Sequence, residues 1–98
     1  MTETSDFEMQ EQGQRRRYVK AMPNCDEAEL TVVKTSPTHW IADHTYVPPA
    51  YRGGDVALAL VERLVEDARS EGVKIHAACS YVAKVFKRRG SDLDDVRA

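Results

Sequence analysis

Two short stretches carry residues whose types and spacing suit chemistry. The first, Arg52-Gly53-Gly54-Asp55-Val56-Ala57, is a charged glycine turn that opens a helical pattern. The first N–H groups of a helix have no partner within it, and the helix dipole adds positive potential there, so such a turn can hold a phosphate. Glycines let the anion approach the backbone, and Arg52 can add a charge-assisted bond. The turn is not a Walker A loop, since no Gly-Lys-Ser/Thr follows, nor the dinucleotide GxGxxG pattern. A plain turn capped by Asp55 explains the same letters. The second stretch is Cys79-Ser80-Tyr81, where a cysteine follows a short apolar run and directly precedes another helical pattern. A thiol beside a helix N-terminus ionises more readily and becomes a better nucleophile; a buried small filler is the other reading. His44 has the chemistry of a general base or of an ordinary sheet-face residue. His76 activates Cys79 only if the two side chains converge, and strand alternation places His76 with Ala78 rather than with Cys79.

The elements that must position these groups follow from periodicity. "RRYVKAM" reads as a strand from Arg16, ended by "PNCD". In "EAELTVVKT", Ala28, Leu30 and Val32 alternate with Glu29, Thr31 and Val33, a second strand. After the turn "SPTH", "WIADHTYV" alternates with Trp40, Ala42, His44 and Tyr46 on one face and Ile41, Asp43, Thr45 and Val47 on the other. Pro48 and Pro49 end that strand. Ala57, Leu60, Val61, Leu64, Val65 and Ala68 then share one face of a helix with Asp55 as N-cap and Gly72 as C-terminal stop. "VKIHAA" is a short strand. "SYVAKVFKRRG" is a second helix, with Ser80 as N-cap, Gly90 as stop and Lys87, Arg88 and Arg89 matched to the helix dipole. The order is β-β-β-α-β-α: an α+β fold with an antiparallel three-stranded meander, a long helix, a further strand and a C-terminal helix. Residues 1–14 read as a disordered lead-in, 15–98 as a single domain, and "SDLDDVRA" as a loosely docked tail.

The 98 residues are enough for one domain. No apolar run reaches the ~18 residues of a membrane span, and the acidic, polar N-terminus lacks a signal-peptide layout. The expected location is therefore the cytoplasm. Cys25 and Cys79 are expected to be free thiols, and two cysteines alone cannot build a zinc site. The net charge of −2 gives no whole-molecule attraction to nucleic acid.

From about Arg16 onward the chain resembles the Gcn5-related N-acetyltransferases, and most closely their small single-domain bacterial members. "HTYVPPAYRGGDVALALV", "DARSEGVKI" and "CSYV" carry the resemblance. It implies a minimal acetyltransferase-like fold and acetyl-CoA as co-substrate. The family's Arg/Gln-x-x-Gly-x-Gly/Ala signature holds the pyrophosphate. Carried over, Arg52 takes its first position, Gly53 and Gly54 the x-x, Asp55 the middle glycine, Val56 the next x and Ala57 the last position. Asp55 departs from the pattern, and a carboxylate there repels phosphate. The resemblance also implies backbone contacts from Thr45, Tyr46 and Val47 to the pantetheine arm. It gives Cys79 a part in acyl transfer, although a Pro usually follows where Ser80 stands. Tyr81 is implied as proton donor to the CoA thiolate, with a packed aromatic as the alternative. Relatives read His-Thr-Glu-Val where this chain has His44-Thr45-Tyr46-Val47. The cluster Lys84, Lys87, Arg88 and Arg89 suits the 3′-phosphate of CoA, nucleic acid or plain solvation; nucleic acid is not expected, since no stacking platform accompanies it. The acceptor is expected to be a primary amine, on a protein or a small polyamine. The rival expectation is a catalytically inactive CoA-binding or protein-interaction module.

Overall fold

The computed structural model describes residues 7–22 and 27–98. Among them, five strands form one sheet in chain order: β1 Phe7–Gln12, β2 Arg15–Lys20, β3 Ala28–Ser36, β4 His39–Tyr46 and β5 Lys74–Ala77. Consecutive strands are antiparallel up to β4, and β5 joins β4 in parallel. A parallel neighbour requires a crossover, and helix α1, Val56–Glu71, supplies it; helix α2, Ser80–Arg89, follows β5. The expected α+β class, long helix, further strand and C-terminal helix are all present.

The core lies between one face of the sheet and the two helices. Tyr18, Leu30, Val32, Trp40, Ala42 and Ile75 project from the strands onto Leu60, Val61, Leu64 and Ala68 of α1 and Val82, Val85 and Phe86 of α2. Gly72 ends α1 in the left-handed region, at φ 71°, and the Val73 N–H returns to the Ala68 carbonyl at 2.9 Å, a Schellman closure. None of the described helices is long and apolar enough to cross a membrane.

The lead-in expected over 1–14 is corrected from Phe7 onward, where β1 pairs along the whole of β2. Periodicity is silent there because β1 is exposed at every position after Phe7. Backbone pairing and charge hold it instead: Glu11 accepts from Arg16 Nε at 2.6 Å and from Lys34 Nζ at 2.7 Å. The tail is also corrected. Gly90–Val96 forms a 3-10 turn that buries Leu93 and Val96; Arg69 clasps Asp95 at 2.7 Å, and the Ala98 N–H reaches the Ile75 carbonyl. Cys79, rather than Ser80, is the N-cap of α2. His39, expected in a turn, opens β4, with Nδ1 3.1 Å from the Thr35 hydroxyl. Cys25 and the turn holding it lie outside the described residues.

The strict alternation expected across β4 is broken. Leu30 pairs with Thr45 and Thr31 with His44, but Val32 pairs with Ala42, which leaves Asp43 as the extra residue of a bulge. A bulge shifts the alternation by one. Trp40 and Ala42 therefore face the helices, whereas His44 and Tyr46 face the other way. Thr45 and Val47 turn to the helix side, against the sequence expectation.

Candidate functional site

The sheet opens where β4 and β5 part. Their pairing covers His39–Ala42 against Lys74–Ala77 and then stops, while β4 runs on to Tyr46. At the fork the Ala42 carbonyl accepts both the Ala78 and Cys79 N–H groups, at 3.0 and 2.9 Å. This fixes the point at which the chain leaves the sheet and enters α2. Beyond it, residues 44–46 keep their β3 partners on one edge and have no strand on the other. The unpaired edge offers backbone donors and acceptors to an extended ligand.

Cys79 sits at this fork, half-buried. Its Sγ lies 3.4 Å from Thr45 Oγ1, a contact that depends on the bulge. Thr45 was expected to contribute only its backbone. The side-chain pairing escapes sequence reasoning because a bulge leaves no mark on a composition pattern.

The expected histidines do not join Cys79. His44 projects from the opposite face of the sheet, 54% exposed, with Nε2 3.3 Å from a Glu29 carboxylate oxygen. His76 pairs with Ile41 on that same far face and is exposed. Tyr81 lies in the first turn of α2, half-buried. Burial chiefly raises its phenol pKa; Arg88 opposes the shift, and the negative charges of Asp55 and Glu62 add to it. Asp55 is the N-cap of α1 and Glu62 lies in its second turn, where Glu62 also meets Arg89 at the end of α2 at 3.2 Å.

The glycine turn reaches α1 through a 3-10 turn at Pro49–Tyr51. Arg52 Nε donates to the Val47 carbonyl at 2.7 Å, and its guanidinium lies 5.6 Å from the centre of the Tyr46 ring. This ties the turn to the open end of β4 and leaves both terminal guanidinium nitrogens without a partner among the described residues. Gly53 has φ 85°, a conformation that favours glycine by itself. Gly54 differs: its φ is ordinary, and a Cβ would meet only the Tyr51 carbonyl, at 3.6 Å. The fold makes no demand for glycine at 54, whereas a ligand resting on the backbone would. Asp55 occupies the N-cap position, but its side chain makes no capping bond. The first N–H groups of α1, at Val56 and Ala57, thus have no side-chain cap. A groove of about 470 Å³ lies elsewhere, along α1 between Phe7, Glu62, Glu66, Arg69 and Leu93; Arg89 of the cationic cluster lines it, but none of the residues expected in the glycine turn, on β4 or at Cys79 and Tyr81 does. No group of described residues has the make-up of a metal site.

This arrangement brings together a forked sheet, a thiol at the fork and a glycine-opened helix start. The comparisons point the same way. The solution NMR structure of a GCN5-like protein from Staphylococcus aureus superposes with a TM-score of 0.68 at 24% identity, over 96% of this chain and 90% of that one. No curated protein matches the chain. A family model described as GCN5-related N-acetyl-transferase matches residues 7–96, nearly the whole of the chain, and the protein therefore belongs to the GCN5-related N-acetyltransferase family.

Proposed function

We propose that this chain transfers an acetyl group from acetyl-CoA to a primary amine at the fork between β4 and β5, in the cytoplasm. The observation that carries the reading is Gly54, a glycine with no structural need, placed between Arg52 and the uncapped start of α1. Anions bind at such helix starts because N–H groups and the dipole converge there. In this reading the Arg52 guanidinium and the N–H groups of Gly53, Gly54, Val56 and Ala57 hold the pyrophosphate, while Asp55 points its carboxylate to solvent. Thr45, Tyr46 and Val47 offer the open strand edge to the pantetheine amides. The thioester then lies near Thr45 and Cys79.

A deprotonated amine attacks the thioester carbonyl. The C–N bond forms, the C–S bond breaks, the nitrogen releases one proton to solvent, and the CoA thiolate leaves and takes a proton from a donor that solvent reprotonates. Backbone N–H groups on the open edge polarise the carbonyl. Tyr81 supplies the proton: burial keeps its phenol protonated at neutral pH. The Cys79 thiol, held by Thr45, lines the reacting centre; with no imidazole at hydrogen-bonding distance among the described residues, direct transfer is favoured over an acyl-cysteine route. His44, on the far face, is left out of the chemistry. The acceptor is a protein side chain or a small polyamine.

The test is a two-dimensional amide NMR titration with acetyl-CoA on the wild type and on Asp55→Gly. Shifts clustered at residues 45–57 and 79–82 are expected, with tighter binding in the variant. Binding followed by failure of every amine acceptor would favour the second reading, a CoA-binding module without catalysis, which the Asp55 carboxylate at the turn supports. No shift in either protein would overturn the cofactor reading.

A further inference from the structure

All fourteen lysines and arginines fall within the described residues, and eleven of them have a hydrogen bond, an ion pair or a ring contact. The remaining three, Lys84, Lys87 and Arg88, have no hydrogen bond or ion pair, and all three are exposed on α2. Arg89 beside them is engaged, at 3.2 Å from Glu62. The helix dipole accounts for cations in the last turn, but Lys84 stands at mid-helix. At 3.6 residues per turn, Tyr81, Arg88 and Lys84 lie within about 60° of one another, with Lys87 beside them. Tyr81 heads this row, and its phenol feels the charges of both Arg88 and Asp55. Tyr81 also follows Cys79 at the fork by two residues, and Arg52 ties the glycine turn to the same open end of β4, so the cationic row begins at the end of the fold that carries the turn assigned to the pyrophosphate.

CoA carries a second phosphate, the 3′-phosphomonoester, on the same ribose that bears the pyrophosphate. A helix start that holds the pyrophosphate brings the 3′-phosphate to the neighbouring surface. We propose that Lys84, Lys87 and Arg88 seat that 3′-phosphate and make the chain selective for CoA over dephospho-CoA. The inference rests on the acetyl-CoA reading above. Lys84 and Arg88 are separated by about 6 Å along the helix, a span suited to one phosphomonoester of charge about −1.5 to −2. It is too short to follow a nucleic-acid backbone, and the net charge of −2 disfavours such a partner.

Calorimetric titration of the full chain with CoA and with dephospho-CoA tests this. The wild type is expected to prefer CoA by about tenfold at low salt, the scale of one or two charge-assisted bonds, with the preference shrinking as salt is added. The triple variant Lys84→Ala/Lys87→Ala/Arg88→Ala should bind both with the wild-type affinity for dephospho-CoA. All three side chains are exposed, and an amide spectrum checks that the variant folds. In ³¹P NMR, the 3′-phosphate signal should move on binding to the wild type and not on binding to the variant. Equal wild-type affinities, or a preference that survives in the variant, would overturn this inference alone. Absence of binding by either nucleotide would overturn the acetyl-CoA reading together with it.

Discussion

Thr45 and Cys79 meet at 3.4 Å although 34 positions separate them. Cys79 was legible in the sequence because a strand, a cysteine and a helix start follow directly in order. The side-chain role of Thr45 was not, since the bulge at Asp43 reverses which face each later residue of β4 takes. His44 was misplaced for the same reason. Tyr81 offers the sharpest test at this scale. Tyr81→Phe keeps the ring that packs against the core and removes the hydroxyl. Acetyl transfer should fall by about 10²-fold in kcat with little change in KM for acetyl-CoA, as for loss of a general acid. An unchanged kcat would remove Tyr81 from the chemistry and leave it as a packing residue.

The glycine turn, as an element, separates what the fold requires from what a ligand requires. Gly53→Ala forces a side chain into the left-handed region and should cost about 1–2 kcal/mol of stability. Gly54→Ala makes only an ordinary contact, so its melting temperature should stay close to that of the wild type. Under the proposed function, acetyl-CoA affinity should nevertheless fall by about tenfold, since the added methyl group would stand where the pyrophosphate is proposed to approach the backbone. Thermal melts with and without ligand check both variants, and a Gly54→Ala protein that binds normally would contradict the cradle. The sequence located this turn and both helices, because helical periodicity and glycine stops are local signals. It missed β1, whose "FEMQEQ" alternates only over Phe7–Gln10 and whose place is set by Arg16 and Lys34 on other strands.

For the molecule as a whole, one buried polar cluster ties the sheet to α1. Arg16, 5% exposed, donates to Glu11, to the Tyr18 hydroxyl at 3.1 Å and to Glu71 at 3.0 Å, and it lies 4.6 Å from the centre of the Trp40 ring. The Tyr18 hydroxyl passes the chain of bonds to Asp67 at 2.8 Å. Tyr18→Phe leaves Arg16 and Asp67 each short of a partner and should cost about 1–3 kcal/mol in urea unfolding. Acid acts on the same cluster. Hydrogen bonds from Lys34 and then Arg16 hold the Glu11 pKa below its ordinary value of 4.5. The unfolded chain takes up that proton first, so this contribution is fully present above about pH 4.5 and is lost as pH falls through the lowered value. Denaturation midpoints between pH 7 and 3 should show the loss, and Glu11→Gln should flatten the dependence in that window. None of this cluster was read from the sequence, which showed three adjacent arginines and gave no reason to bury the middle one.

The bulge at Asp43 also makes chain length in β4 a matter of parity. Asp43 has no partner on β3, so its removal would close a regular ladder with Ala42 still opposite Val32 and His44 still opposite Thr31. Every later residue would keep its face, since alternation along an unbroken ladder puts His44 outward and Thr45 toward the helices. The single deletion should cost only the bond from the Thr31 hydroxyl and the ion pair with Arg15, and Thr45 should remain beside Cys79. Removing Asp43 and His44 together would instead set Thr45 opposite Thr31 and turn its hydroxyl away from the thiol. Thiol alkylation rates of the two deletion variants would show the difference.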